Sequence, residues 1–179
     1  MSVQILEIVQ GTEEWLLARE DKVTGSIADT LLTRGLDQAL KQNYARFRGN
    51  FYTQRGHILE EEAIELYEAI HGVKVGRPGL ITNDKFSNAA CSPDGVDREF
   101  LLEVKALGEV KHLDIVKSAT LPFKIMSQLQ FNMMICELRV AKLIMYNPDI
   151  EDNELAYREI IIKANPRVQA NFKVKLKGE

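Results

Sequence analysis

Ser92-Pro93-Asp94-Gly95, followed after a short polar interval by Leu101-Leu102-Glu103-Val104-Lys105-Ala106-Leu107, is the stretch on which the fold of this chain turns. The tetrapeptide is a turn sequence, because proline fixes its own φ and aspartate and glycine accept the conformations that a reversal needs. The second segment is a strand in which a glutamate and a lysine occupy alternate positions. Side chains two apart on a strand project from one face, so Glu103 and Lys105 stand together on a strand otherwise built of Leu101, Leu102, Val104 and Leu107. An acid at a turn and an acid on the next strand can converge on one point. Carboxylate oxygens suit a hard cation such as Mg²⁺, and the Val104 carbonyl offers a further oxygen. A nearby ammonium can orient or deprotonate an attacking water. Each piece alone reads as structure, an ion pair on a solvated strand or an ordinary turn. Their order and spacing together favour a metal site.

Working outward, Val140–Tyr146 and Tyr157–Lys163 read as strands separated by a loop at Asn147–Asn153. Pro122 suits the first turn of a helix running from Phe123 to Glu137, and the segment from Asn165 onward is helix-like. Upstream, Ala89–Val96 reads as one extended segment joined to Leu101–Leu107 by a polar turn at Asp97–Glu99. Val73, Val75, Leu80 and Ile81, broken by Gly76, Pro78 and Gly79, suggest strand and turn. The clearest helix runs from about Thr53 to His71: Ile58, Leu59, Ala63, Leu66, Tyr67 and Ile70 recur at helical spacing, and Gly72 closes it. Thr12-Glu13-Glu14-Trp15 has the hydroxyl cap and first-turn acids of a helix start. Ser26-Ile27-Ala28-Asp29 repeats that pattern for a short helix ending near Gly35, with Ser26 as its N-cap. A polar stretch follows, with Arg34, Lys41, Arg46 and Arg48 among Tyr44, Phe47 and Phe51, and Val3–Val9 reads as an edge strand. Strands in mid-chain with helices before, between and after make the chain α/β or α+β. With no repeat, low-complexity tract or linker, a single domain over residues 1–179 is expected.

Composition narrows the class. The chain has 179 residues, 45% hydrophobic and 27% charged, as in an ordinary globular domain. No apolar run long enough to span a bilayer and no basic-then-apolar leader is present, so neither membrane insertion nor secretion is expected. The two cysteines, Cys91 and Cys136, cannot build a disulfide framework and fall short of the four thiolates an iron–sulfur cluster usually takes. A soluble, reduced, cytoplasmic protein is the expectation. The net charge of −3 does not announce a nucleic-acid binder, although an acidic total can hide a local basic groove.

Asp94 and Glu103-Val104-Lys105 together resemble the Asp…Glu-x-Lys core of the restriction-endonuclease-like nucleases. The surrounding text is similar to the viral-recombinase family of bacteriophage lambda exonuclease. Arg55-Gly56-His57-Ile58-Leu59-Glu60-Glu61-Glu62-Ala63 matches its glutamate-bearing helix, and Ala90-Cys91-Ser92-Pro93-Asp94-Gly95 matches the run at its core. Gln128-Leu129-Gln130 matches its Gln-x-Gln helix, and Tyr146-Asn147-Pro148 its Tyr-x-Pro turn. The likeness runs from about Trp15 to Lys163. It implies a restriction-endonuclease-like core, a central mixed β-sheet flanked by helices, and a 5′→3′ exonuclease using Mg²⁺, with Mn²⁺ able to substitute. The substrate implied is linear double-stranded DNA at its ends, degraded to 3′ single strands for a single-strand annealing protein. A homotrimer, in a phage or prophage setting within a bacterial host, belongs to the same picture.

Residue by residue, the resemblance implies that Asp94, Glu103, Glu60 and the Val104 carbonyl hold two metal ions. It gives Lys105 the attacking water, with Gln128 in support. Trp15…Arg19…Thr24-Gly25-Ser26 is similar to the stretch that grips a terminal 5′ phosphate, through Arg19 and Ser26. Lys111 stands where the family has an arginine near that phosphate, and a lysine keeps the charge but not the bidentate geometry. Plainer roles stay open: Glu60 lies in a Glu60-Glu61-Glu62 run that suits a solvated helix face, Gln128 suits a capping bond, and Arg19 suits an exposed helix charge. His57, His71 and His112 lack metal-ligand spacing and read as surface or structural, and Cys91 as a small buried filler. The rival functions are an end-independent endonuclease or repair nuclease of the same fold, and a catalytically silent DNA-binding module.

Overall fold

The computed structural model describes residues 3–47 and 54–178. The helix start expected at Thr53, and Arg48 and Phe51 of the basic–aromatic stretch, lie outside them. Two four-stranded sheets form the frame. In the first, β1 (Val3–Leu6), β3 (Leu80–Asn83), β4 (Ala89–Cys91) and β2 (Val23–Thr24) lie in the order β1-β3-β4-β2, with β2 parallel to β4 and the other pairs antiparallel. In the second, β5 (Gly95–Val96), β6 (Phe100–Lys105), β7 (Val140–Tyr146) and β8 (Tyr157–Lys163) lie in sequence order, with β6 and β7 parallel. The mixed α+β class read from the sequence therefore holds, and the sheet comes in two pieces.

The break falls inside Ala89–Val96, which the sequence suggested as one extended segment. Ser92-Pro93-Asp94 carries the chain out of the first sheet and into the second. Proline has no N–H to give to a ladder, so pairing stops there and resumes with a new partner at Gly95↔Leu102. Asp94 is thereby placed at the crossing between the sheets.

Helix α6 (Phe123–Cys136) joins the two. Its Phe131, Met134 and Ile135 pack with Val23, Ile81 and Cys91 of the first sheet, while Leu129 and Met133 pack with Leu101, Ala141 and Leu143 of the second. Each such buried side chain contributes about 1.5–3 kcal/mol relative to exposure. The opposite face of the second sheet, Leu102, Val104 and Ile144, is covered by α4 (Gln54–His71) through Ala63, Ile64 and Tyr67. Strand β6 is thus sorted by alternation. Leu102 and Val104 face α4, whereas Leu101 and Glu103 face α6.

The remaining helices are α1 (Glu13–Ala18), α2 (Ala28–Arg34), α3 (Leu36–Phe47), α5 (Glu109–Ser118), the short α7 (Asn153–Ala156) and α8 (Pro166–Leu176). Thr12 caps α1 through its side chain, as its position suggested, and Asn165 caps α8 in the same way. Four expectations need correction. The N-cap of α2 is Ile27, not Ser26, because Gly25–Ile27 form a 3₁₀ turn whose own cap is Thr24. The apolar period read over α4 is only partly its buried face: Ala63 and Tyr67 are buried as read, but Ile58 and Ile70 are 58% and 55% exposed and Ile64 is buried in their place. Part of the stretch after Gly35 read as merely polar is α3. No helix was expected over residues 109–118, where α5 forms. Among the described residues no helix is long and apolar enough to cross a membrane.

Candidate active site

Glu103 is 2% exposed, and its two carboxylate oxygens are held from different elements. Lys105 Nζ, on the same face of β6, donates to Oε1 at 2.7 Å. Gln128 Nε2, from α6, donates to the same oxygen. Asn132 Nδ2, one helical turn further along α6, donates to Oε2 at 3.3 Å. Asp94 reaches the same place from the crossing between the sheets. Because β5 pairs only as far as Gly95↔Leu102, the edge of β6 beyond it is free, and the Val104 N–H there donates to Asp94 Oδ2 at 2.7 Å. The half-buried Glu60 approaches from α4, with His57 Nδ1 3.6 Å from its carboxylate, while Glu61 and Glu62 are exposed. Glu61 pairs with Arg77 and Glu62 accepts from Tyr146, which leaves Glu60 as the member of the run that faces the site.

The electrostatics follow from burying several acids around one cation. Burial pushes the Asp94 carboxyl well above its ordinary 3.8, the charges of Glu103 and Glu60 push it further, and Lys105 opposes them. Glu60 is raised above 4.5 by burial first, with His57 and Lys105 pulling it down and Glu103 up. Burial alone would lower the Lys105 ammonium, but Glu103 and Asp94 outweigh it and hold it above 10.5, so it stays charged at neutral pH.

These side chains line a cavity of about 150 Å³ that also reaches Arg19, Gly25 and Ser26. The indole of Trp15 anchors that wall. Trp15 is 1% exposed, and its Nε1 donates to Gly79 O and to Ser92 Oγ, each at 3.0 Å. The Arg19 guanidinium lies 3.8 Å over its ring, a cation–π seat that orients the charge. Ser26 sits in the 3₁₀ turn with its hydroxyl 3.2 Å from that of Thr24. A neighbouring cavity of about 370 Å³ shares Gln10, His57, Glu60 and Asp94, so Glu60 and Asp94 border both spaces.

The residues singled out from the sequence thus separate cleanly. Glu60, Asp94, Glu103, Lys105, Gln128, Arg19 and Ser26 line one cavity. Lys111 is exposed on α5 and is not part of that lining. Gln130, the second glutamine of Gln-x-Gln, is structural, tying Lys163 O and Asn165 N. Asn147 of Tyr146-Asn147-Pro148 is likewise structural, donating to Leu107 O at 3.0 Å. Buried Cys91 lies 3.4 Å from Cys136, both thiols free, and buried His112 donates its Nε2–H to Leu155 O. Sequence reasoning missed Asn132, Gln10 and His57 as cavity residues. The spacing of Gln128 and Asn132 in an otherwise apolar helix was a usable signal; nothing marked Gln10, whose amide reaches Pro78 O and Pro93 O from a loop.

The donor set suits a hard divalent cation, since Asp94, Glu103 and Glu60 offer only oxygens and their mutual repulsion is relieved by positive charge. Among the described residues no group of three or more carboxylate, imidazole or thiol side chains is disposed to hold a metal alone. An ion here would complete its shell with main-chain and water oxygens.

Among solved structures the chain is similar to an alkaline exonuclease from Laribacter hongkongensis, with 25% identity and a TM-score of 0.81 over 93% of this chain and 90% of that one. It is similar to that enzyme in complex with dAMP at 23% identity, TM-score 0.81 and the same coverage. A phage-related exonuclease from Haemophilus somnus follows at 16% identity and a TM-score of 0.60, over 87% and 90% of the two chains. These last two likenesses show the fold alone. No curated protein matches the chain. The profile of the YqaJ-like viral recombinase domain matches residues 14–139, and on that extent the chain belongs to the YqaJ-like viral recombinase domain family.

Proposed function

We propose that this chain is one Mg²⁺-dependent exodeoxyribonuclease domain that degrades linear double-stranded DNA from its 5′ ends and leaves 3′ single strands for recombination. The observation that carries the reading is one cavity with Asp94, Glu103, Lys105 and Glu60 on one side and Arg19 and Ser26 on the other. Asp94, Glu103, Glu60 and the Val104 carbonyl would hold Mg²⁺, or Mn²⁺ in its place. When bound, such a cation lowers the pKa of a water and neutralises charge on the scissile phosphate.

The chain's own groups do the rest. Lys105 keeps two further ammonium protons for a water or a phosphate oxygen beyond the one given to Glu103. Gln128 fixes the same carboxylate oxygen from α6. Arg19, seated on Trp15, presents a planar fork of donors that matches a terminal phosphate, and Ser26 adds a hydroxyl. Only a strand end carries such a phosphate, so this wall would turn a general nuclease into an end-dependent one. The adjoining cavity leaves room for the strand to continue past the carboxylates. Lys111, outside the cavity, has no part in this reading. The relatives' activity as exonucleases supports the exonuclease over the endonuclease; the homotrimer and the annealing partner rest on family resemblance.

Digestion with Mg²⁺ of linear duplexes bearing 5′ phosphate or 5′ hydroxyl, beside a closed circle, tests it. Loss of one strand from phosphorylated linear DNA, with the circle spared and EDTA silencing every lane, is expected. Cleavage of the circle would replace the exonuclease with an endonuclease, and silence in every lane would leave a DNA-binding module.

A further inference from the structure

Asn132 is 1% exposed and sits in an otherwise apolar stretch of α6, between Phe131 and Met133. Its Nδ2 donates to Glu103 Oε2, and its Oδ1 is buried with no hydrogen-bond partner. A buried acceptor left unpaired is destabilising, a cost that an apolar residue of similar shape would not incur. Turning the amide over would not relieve it, because it would set oxygen against the Glu103 carboxylate. The far side of the amide is closed by backbone. A Cβ added at Gly25 would lie 2.1 Å from Asn132 Oδ1, so only a glycine lets the Gly25–Ile27 turn come this close.

The two contacts put one side chain between both walls of the cavity. Lys105 and Gln128 both hold Oε1 of Glu103, which leaves the carboxylate free to swing about that oxygen. The terminal torsion of a glutamate is broad, so a second fixed point is needed to define its plane. Asn132 supplies that point on Oε2, and the Gly25 turn in turn prevents Asn132 from moving away. We propose that Asn132 is a positioning residue that fixes the plane of the Glu103 carboxylate and registers it against the Gly25–Ser26 wall. This rests on Glu103 being a metal ligand, as in the proposed function.

The test compares Asn132→Leu and Asn132→Ala with wild type and Asp94→Ala. Three quantities are read: kcat and KM on linear duplex DNA, the thermal midpoint without metal, and direct Mn²⁺ binding by electron paramagnetic resonance. Losing a residue that orients a ligand should lower kcat and weaken Mn²⁺ binding by about 10–100-fold, leaving KM for DNA within about twofold. Asn132→Leu removes the orphaned oxygen and also the donor to Glu103, two opposed effects on the thermal midpoint, so the midpoint serves to show that the variant folds while kcat and Mn²⁺ affinity decide the role. Wild-type kcat and Mn²⁺ affinity in both variants, with Asp94→Ala inactive, would overturn the inference and leave the nuclease reading standing. If wild type itself cleaves nothing, the nuclease reading fails, and the Mn²⁺ titration alone decides: a weakened midpoint in Asn132→Leu supports the positioning role and an unchanged one removes it.

Discussion

Replacing Asp94 by asparagine removes a charge that the metal-free site resists, and the consequence for stability has a definite sign. Because the Asp94 carboxyl is raised well above 3.8, the folded chain keeps a proton over an interval in which the unfolded chain has lost it. Stability therefore falls as pH rises through that interval, by about 1.4 kcal/mol per pH unit for one proton. Glu60, also raised, adds a loss of the same sign starting from 4.5. Glu68 works the other way. Held at about 2 by Lys74, the Val75 N–H and Arg77, it contributes stability that is full above 4.5 and is lost as pH falls through about 2. Metal-free wild-type protein should then be most stable, with respect to these three groups, near the crossover around pH 4. Asparagine keeps an oxygen acceptor for the Val104 N–H, so Asp94→Asn deletes the titration without stripping that bond. Urea unfolding in EDTA at one-unit steps from about pH 4 to about pH 8 measures it. The variant should gain on wild type with rising pH at up to about 1.4 kcal/mol per unit, while Mg²⁺ should flatten the wild-type slope by favouring the ionised carboxylates. Parallel stability lines for the two proteins in EDTA would refute the account of Asp94 as a partly buried acid whose ionisation desolvation and Glu103 oppose.

Three further outcomes are expected. Lys105→Ala should retain its far-UV circular dichroism but lose hydrolysis by about 10²–10⁴-fold, the range for a group that moves or orients a proton; wild-type turnover would remove Lys105 from the site. Trp15→Phe strips the donor from Gly79 O and Ser92 Oγ, and should cost about 1–3 kcal/mol in urea unfolding. It should also weaken any preference for 5′-phosphorylated ends, since Arg19 loses part of its seat. Gly79→Ala would place a Cβ 1.8 Å from the Ile8 carbonyl oxygen, a clash between two backbones that no side-chain rotation relieves. A loss of about 1–3 kcal/mol or more by calorimetry is expected, and an unchanged midpoint would show that this close approach is not kept.

Much of the fold was legible wherever local chemistry and tertiary burial agree. Val140–Tyr146 and Tyr157–Lys163 are β-rich by composition and are strands with those bounds, and Asn165 before Pro166 marked the start of α8. Legibility failed where the tertiary partner overrides the local signal. Helix α5 starts at Glu109 after Gly108, which caps it without a side chain, so its N-terminus carries only the weak signal of a glycine and one first-turn acid. Helix α3 is amphipathic, with Leu36, Ala39 and Leu40 packed on the first core, but those few apolar residues stand among so many polar ones that the stretch reads as merely polar. In α4 the apolar period was right about Ala63 and Tyr67 and misled about Ile58 and Ile70, because the face packed on Leu102, Val104 and Ile144 takes Ile64 and leaves those two to solvent.

The site was more legible than the sheet that holds it, and for a reason particular to this chain. Asp94, Glu103 and Lys105 are named by short-range rules: a turn with a proline, and alternation on one strand. Those same rules suggested a continuous extended run into Asp94, whereas the chain changes sheets there. The change is what serves the chemistry. Were β4 and β5 one strand, Asp94 would lie within a ladder and its side chain would project from a sheet face. At the crossing it folds back instead onto the free N–H of Val104, beside the residues that flank it. Helix α6 then spans both sheets, so Gln128 and Asn132 can hold Glu103 while the next turns of the same helix close the first core. The spacing of Gln128 and Asn132 was a signal that both share one side of α6, but the role of Asn132 was not legible from it, because that role depends on Gly25, more than a hundred residues earlier, leaving room for it. A polar residue buried in an apolar helix is a cost that only its tertiary partner explains.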